Sequence, residues 1–237
     1  METLVLLHGF AGTGAAWGAV EAAMQPETYR PWAPDLLGHG MAGDARPCDV
    51  GACVDAVLAA APARFALAGY SMGGRVALHL ALRAPERVAR LTLIATTAGL
   101  DDPAVRAARR TADDALADWI DAHDIDAFAD RWLAQPLFAG DGAGAAALAR
   151  QDIARNGPAG LAASLREAGT GAMTPVWDRL AELTMPTTVV VGAYDAKFRA
   201  IGERLVAALP DARTIVVPGA GHALPRTSPE ALAAALT

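Results

Sequence analysis

Two cysteines, Cys48 and Cys53, are all that this chain of 237 residues holds. Two are too few for a disulfide-stapled scaffold, and they have neither C-x-x-C nor zinc-ligand spacing, so both are expected as small buried hydrophobes. Basic runs and stripes are also missing, and the net charge is −6, which argues against nucleic acid as a partner. An anionic ligand would have to be met by local arginines, because the overall field does not draw it in. No apolar stretch approaches the roughly 18 residues of a membrane span. The opening METLVLLHGF lacks the basic start and cleavage site of a secretory leader. The expectation is a cytoplasmic protein with no membrane partner. The histidines show no H-E-x-x-H or comparable spacing, so no metal is expected, and no cofactor.

What the chain has is apolar residues, 53% of the total, rich in Leu and Ala. Disorder is therefore not expected. Short β-rich runs at residues 4–7, 32–35, 65–68, 91–95, 187–191 and 214–217 alternate with helical patterns. Such alternation implies right-handed βαβ crossovers and a largely parallel sheet, an α/β fold. The run TTVVVG is nearly continuous in β-branched residues, as a strand covered on both faces should be. From residue 100 to 178 no strand-like run occurs, and Ala/Asp/Arg-rich helical stretches dominate. That is too long for a structureless loop. The expected organisation is a core of residues 1–99 and 179–237, with a helical cap at 100–178 inserted between core strands.

Residues 67–82 read LAGYSMGGRVALHLAL, a serine between glycines, after a strand-like run and before a helical one. Gly69-Tyr70-Ser71-Met72-Gly73 fits G-x-S-x-G, and the reason for that spacing is steric. A serine on a strained strand-to-helix turn needs neighbours without Cβ atoms, so that its hydroxyl can stand at the C-terminal edge of the sheet. There the helix N-terminus and the Met72 N–H can stabilise negative charge. A serine so placed needs a base and an orienting acid, in chain order Ser, Asp or Glu, His. Asp195 follows the TTVVVG strand and His222 follows the next one, on a glycine-rich loop. Asp101 or Asp102, after the fourth strand, is the alternative acid. His8 and His39 suit structural hydrogen bonds, His79 packing, and His123 solvent. The loop LLHGFAG can present the Phe10 N–H beside that of Met72 as an oxyanion hole.

HGFAG, DLLGHG, GYSMGG, the Asp195 loop and GAGH together resemble the α/β-hydrolase fold over nearly the whole chain. The serine at 71 separates this chain from relatives of that fold that carry an aspartate there. Longer strings narrow the resemblance: GYSMGGRVAL, the R-x-x-R-R-x-x-D opening of the insertion with Arg106, Arg109 and Arg110, WLAQPLF, LAASLREAGTG with Arg166, and GAYDAKF with Lys197 and Phe198. These are similar to the 2-succinyl-6-hydroxy-2,4-cyclohexadiene-1-carboxylate synthases of menaquinone biosynthesis.

That resemblance implies a lyase that removes a proton from a cyclohexene polycarboxylate and expels pyruvate. Ser71 would act as general base, deprotonated by His222, with Asp195 orienting the imidazole. It also implies that Arg75 and Arg109 bind substrate carboxylates, since guanidinium stays charged and grips a carboxylate with two donors. Tyr70 and Trp132 become pocket residues by the same match. The third arginine of the pattern is Arg155, or Arg150, because the ungapped position holds Ile153. The chain departs from the pattern after His222, where GHALPRTSPE puts Pro225 and Arg226 in place of a histidine and an acidic residue, and at Leu37, where proline is usual. On the residues alone, a serine esterase, thioesterase or C–C bond hydrolase acting on a small carboxylated substrate remains the alternative.

Overall fold

In a computed structural model, which describes residues 1–25 and 27–236, the β-rich runs form one six-stranded sheet. In chain order the elements are β1 (Glu2–Leu7), α1 (Gly18–Ala23), β2 (Tyr29–Trp32), α2 (Val50–Ala60), β3 (Phe65–Tyr70), α3 (Met72–Arg83) and β4 (Val88–Ile94). Four helices follow: α4 (Pro103–Asp121), α5 (Ile125–Leu133), α6 (Ala143–Ile153) and α7 (Pro158–Ala168). The chain then returns through β5 (Thr187–Gly192), α8 (Ala196–Ala208), β6 (Ala212–Val217), α9 (Leu224–Thr227) and α10 (Pro229–Leu236). The strand order is β2-β1-β3-β4-β5-β6 and every neighbouring pair is parallel. Among the described residues no helix is long and apolar enough to cross a membrane.

Alternation along the strands builds two apolar layers. Leu4 and Leu6 of β1 pack with Trp17, Val20 and Leu232, while Val5 and Leu7 face Val54, Val76, Leu80 and Leu205. Burying a side chain of this size contributes roughly 1.5–3 kcal/mol. All six residues of β3 are buried, which explains its unbroken apolar run. Cys48 and Cys53 are buried free thiols, and burial pushes them up to about 12 and about 11, so both stay protonated. One expected strand is displaced: residues 32–35 were the predicted second strand, and the strand is Tyr29–Trp32. Pro34 has no N–H for a ladder, and Asp35 is drawn into the loop, where it accepts from the Gly14 N–H at 2.7 Å and the Met41 N–H at 2.8 Å.

The helices between β4 and β5 carry an apolar cluster of their own, with Ile120, Phe128, Ile153, Leu161 and Leu165, against which Phe10 and Ala11 of the loop after β1 pack. A polar clasp adds to this contact. Asp152 of α6 accepts from Thr13 Oγ1 at 2.5 Å and from the Thr13 N–H at 3.2 Å, and pairs with Arg226 of α9 at 2.9 Å. His8 and His39 hold the neighbouring loops: the Leu36 N–H donates to His8 Nε2 at 2.9 Å, and the two rings meet edge to face at 5.1 Å. Burial lowers His8 and takes His39 down to about 3, so both are neutral at physiological pH.

Between β3 and α3 the chain turns through Ser71 at φ 52° and ψ −108°, a left-handed conformation that costs a non-glycine residue on the order of 1–3 kcal/mol. Neighbouring backbone holds it there. The Ser71 N–H donates to Ile94 O at 2.9 Å, and Thr96 Oγ1 donates to Ser71 O at 2.7 Å. The turn closes because its flanks lack side chains: a Cβ on Gly69 would lie 2.3 Å from Gly73 O, and one on Gly73 would lie 2.2 Å from Leu7 O. Backbone atoms cannot yield as a side-chain tip would. Gly73→Ala should therefore lose at least about 2 kcal/mol of stability, the scale of an overpacked core. Chemical denaturation measures this, and an unchanged midpoint would show that the turn does not depend on that contact.

Candidate active site

Because all strands are parallel, the loops after β1, β3, β5 and β6 open on one edge of the sheet, where α/β proteins place their ligands. Ser71 stands there after β3, Asp195 after β5 and His222 after β6. His222 Nε2 lies 3.2 Å from Ser71 Oγ, and His222 Nδ1 lies 2.8 Å from Asp195 Oδ2. The partners fix the tautomer: Nδ1–H donates to the carboxylate, which leaves Nε2 to accept from the serine hydroxyl. Asp195 is itself held, since its Oδ1 accepts from the Phe198 N–H at 3.1 Å as the N-cap of α8. Asp195 and His222 are both buried. Phe198 packs at 4.5 Å and Tyr70 at 5.4 Å from the imidazole, walling it from water. Asp101 pairs with Arg204 and Asp102 caps α4, so neither alternative acid meets the histidine.

A cavity of about 400 Å³ opens above Ser71. Phe10 and Met72 line it, and among the described residues neither of their backbone N–H groups has an acceptor. Two unpaired donors beside a serine hydroxyl can receive an oxygen that gains charge.

The cavity wall also includes Arg75 and Arg109. Arg75 extends from the first turn of α3 and is buried; one terminal nitrogen donates to Ala168 O at 2.5 Å. Burial, and then the charge of Arg109, lower Arg75 to about 10, so it remains a cation at neutral pH. Arg109 on α4 is aimed by Asp113, which takes its Nε–H at 2.8 Å and leaves the two terminal nitrogens uncommitted. Trp132 and Tyr70 line the cavity as well, Trp132 packing on Phe10 at 5.0 Å.

The third arginine is a correction. Arg155 is exposed and does not reach the cavity, and Arg150 pairs with Asp130 on the surface of α5 and α6. The cavity-facing side of α6 carries Ala149 and Ile153 instead. Arg166 is likewise occupied by Asp118 and Asp121, and Arg106 by Leu100 O. Arg226, set aside in the sequence as a departure from pattern, is in the wall, as are Lys197 and Asp141. Burial raises the Asp141 carboxyl. Its position four residues beyond His222 was the one signal for Arg226; nothing in the sequence marked Asp141. His79 is packed in α3 and His123 stacks on Trp119 at 3.9 Å, both away from the site. Among the described residues no cluster of histidine, cysteine and carboxylates is arranged to hold a metal.

The model of the alpha/beta hydrolase family matches residues 4–235. A 2-succinyl-6-hydroxy-2,4-cyclohexadiene-1-carboxylate synthase of Klebsiella pneumoniae is 34% identical over 98% of this chain and 91% of its own length. A pimeloyl-[acyl-carrier protein] methyl ester esterase of Edwardsiella ictaluri is 31% identical over 98% of this chain and 91% of its own. Among solved structures, MenH from S. aureus superposes with a TM-score of 0.92 at 28% identity, covering 98% of this chain and 91% of that one. With the match to the family model running almost from end to end, this chain is an enzyme of the alpha/beta hydrolase family and belongs to the group within it that carries the 2-succinyl-6-hydroxy-2,4-cyclohexadiene-1-carboxylate synthase name.

Proposed function

We propose that this enzyme eliminates pyruvate from 2-succinyl-5-enolpyruvyl-6-hydroxy-3-cyclohexene-1-carboxylate, giving 2-succinyl-6-hydroxy-2,4-cyclohexadiene-1-carboxylate in menaquinone biosynthesis. One observation carries the reading: Arg75 and Arg109 share a cavity with Ser71 and keep N–H donors uncommitted. A simple ester needs an apolar acyl pocket, and two cations in its wall would weaken it. A polycarboxylate needs them, because its charges must be desolvated and held apart from the negative charge that the reaction develops.

The ring proton to be removed is at C2, next to the succinyl ketone. Ser71 Oγ takes it while passing its own proton to His222 Nε2, and Asp195 stabilises the resulting imidazolium. The electron pair forms the C2=C3 double bond, the C3=C4 pair moves to C4=C5, and the C5–O bond breaks. The proton returns through His222 to the departing enolpyruvate, which becomes pyruvate. Charge spread onto the ketone oxygen during proton removal is received by the Phe10 and Met72 N–H groups. General-base catalysis supplies typically 10²–10⁴-fold, and each oxyanion donor on the order of 10²–10³-fold. The runner-up is a serine esterase, for which Ser71 would attack an acyl carbon directly. The same hydrogen-bond chain and the same unpaired N–H groups favour it, but only an ester that itself carries a carboxylate would give the arginines a task.

Purified protein should release one pyruvate per cyclohexadiene formed, as read by lactate dehydrogenase coupling and diene absorbance. Ser71→Ala should cut kcat by about 10²–10⁴-fold. Arg75→Gln should lower kcat/KM by roughly 10–100-fold, the range of a charged hydrogen bond, with the circular dichroism retained. Full activity in that variant would remove the carboxylate-binding role. The reaction should also respond to pH through Asp141. Its raised carboxyl is neutral at the acidic end and ionises as pH rises, adding a negative charge to a wall that must receive anions. KM should therefore rise with pH through that ionisation, and Asp141→Asn should flatten the rise and lower KM at neutral pH by a few-fold. A variant that keeps the wild-type KM profile would clear Asp141 of that effect.

A further inference from the structure

The mechanism above gives no task to Arg226, although it is the third guanidinium in the cavity wall. Its side chain is 13% exposed, and one terminal nitrogen donates to Asp152 Oδ2 at 2.9 Å. A guanidinium has five N–H donors, so most of the fork stays free. Asp152 needs little more from it, since Thr13 already supplies the carboxylate with two donors. The clasp thus holds Arg226 in place without using it up.

The three arginines of the cavity come from three elements, α3, α4 and α9. Arg109 is close enough that its charge acts on Arg75. Arg226 is on α9, four residues beyond His222, within electrostatic reach of Tyr70, His8 and Asp141. α6 presents no cation to the cavity, only Ala149 and Ile153. An elimination splits its substrate into two anionic fragments, and the departing oxygen must collect its proton from His222. The leaving fragment therefore lies on the His222 side of the cavity, which is the Arg226 side.

We propose that Arg226 is a substrate-binding residue that grips the carboxylate of the departing three-carbon 2-oxo acid, while Arg75 and Arg109 hold the carboxylates that remain with the ring. This rests on the elimination reading and adds a second anion subsite to it. The subsite stabilises the fragment as the C5–O bond opens, because the cation is in place before charge moves onto that fragment. Asp152 is the positioning residue that presents the fork.

The test uses pyruvate as the probe, as a product inhibitor of turnover and as a ligand in thermal-shift titration, with succinate as the comparison anion. Arg226→Gln should weaken pyruvate binding by about ten- to a hundredfold and raise KM for the cyclohexene substrate, with succinate binding changed less than twofold. Arg226→Lys should recover part of the loss. Asp152→Asn loosens the anchor but keeps the guanidinium, so it should weaken pyruvate binding far less than Arg226→Gln does, even if it lowers the melting temperature. Equal losses of pyruvate binding in the Arg226→Gln and Asp152→Asn proteins would reduce Arg226 to a structural clasp and overturn the proposal. So would unchanged pyruvate inhibition in Arg226→Gln, or no pyruvate binding to the wild type. If the wild type fails to turn over the cyclohexene while its pyruvate binding still depends on Arg226, the subsite stands and the elimination reading falls.

Discussion

A serine held in a left-handed conformation between two glycines is the constraint on which the site depends. Ser71 cannot relax, because Gly69 and Gly73 touch backbone on either side and the end of β4 fixes its N–H and carbonyl. The strain places Oγ at the sheet edge, and the parallel order of β3, β5 and β6 brings Asp195 and His222 to the same edge. Strand geometry and a few short contacts thus assemble three residues from distant parts of the chain. Little remains to be ordered when substrate arrives.

Charge is arranged around that hydroxyl with some economy. The protein is acidic overall, yet its cavity is lined by three arginines and a lysine. Two of the arginines are steadied by a carboxylate, Arg109 by Asp113 and Arg226 by Asp152, while Arg75 is anchored to a backbone carbonyl. Each anchor uses part of the guanidinium and leaves the rest toward the cavity. A free side chain would have to be immobilised on binding, and a fully paired one would have nothing to offer.

Much of this was legible in the sequence because the signals were local. The alternation of β-branched runs with helices, the G-x-S-x-G turn, and the position of Asp195 and His222 just past strands all depend on neighbours in the chain. The second strand was misplaced because Asp35 is recruited by Gly14 and Met41, partners that a local pattern does not show. Arg155 was misassigned for a similar reason. It lies two residues beyond the cavity-facing Ile153, and two steps along a helix turn a side chain by about 200°, enough to move it from cavity to solvent. Arg226 looked like a departure from pattern, and its position in the wall depends on α9 folding back toward Thr13 and Asp152, over more than 70 residues of separation.

The proposed elimination differs from serine hydrolysis at one point: in it, Ser71 would carry a proton and never a covalent bond to substrate. Intact-protein mass spectrometry of acid-quenched samples, taken while the cyclohexene is turned over, tests this directly. Elimination predicts the unmodified mass at every time point while pyruvate accumulates. A transient mass increase that maps to the Ser71 peptide and rises and falls with turnover would contradict it.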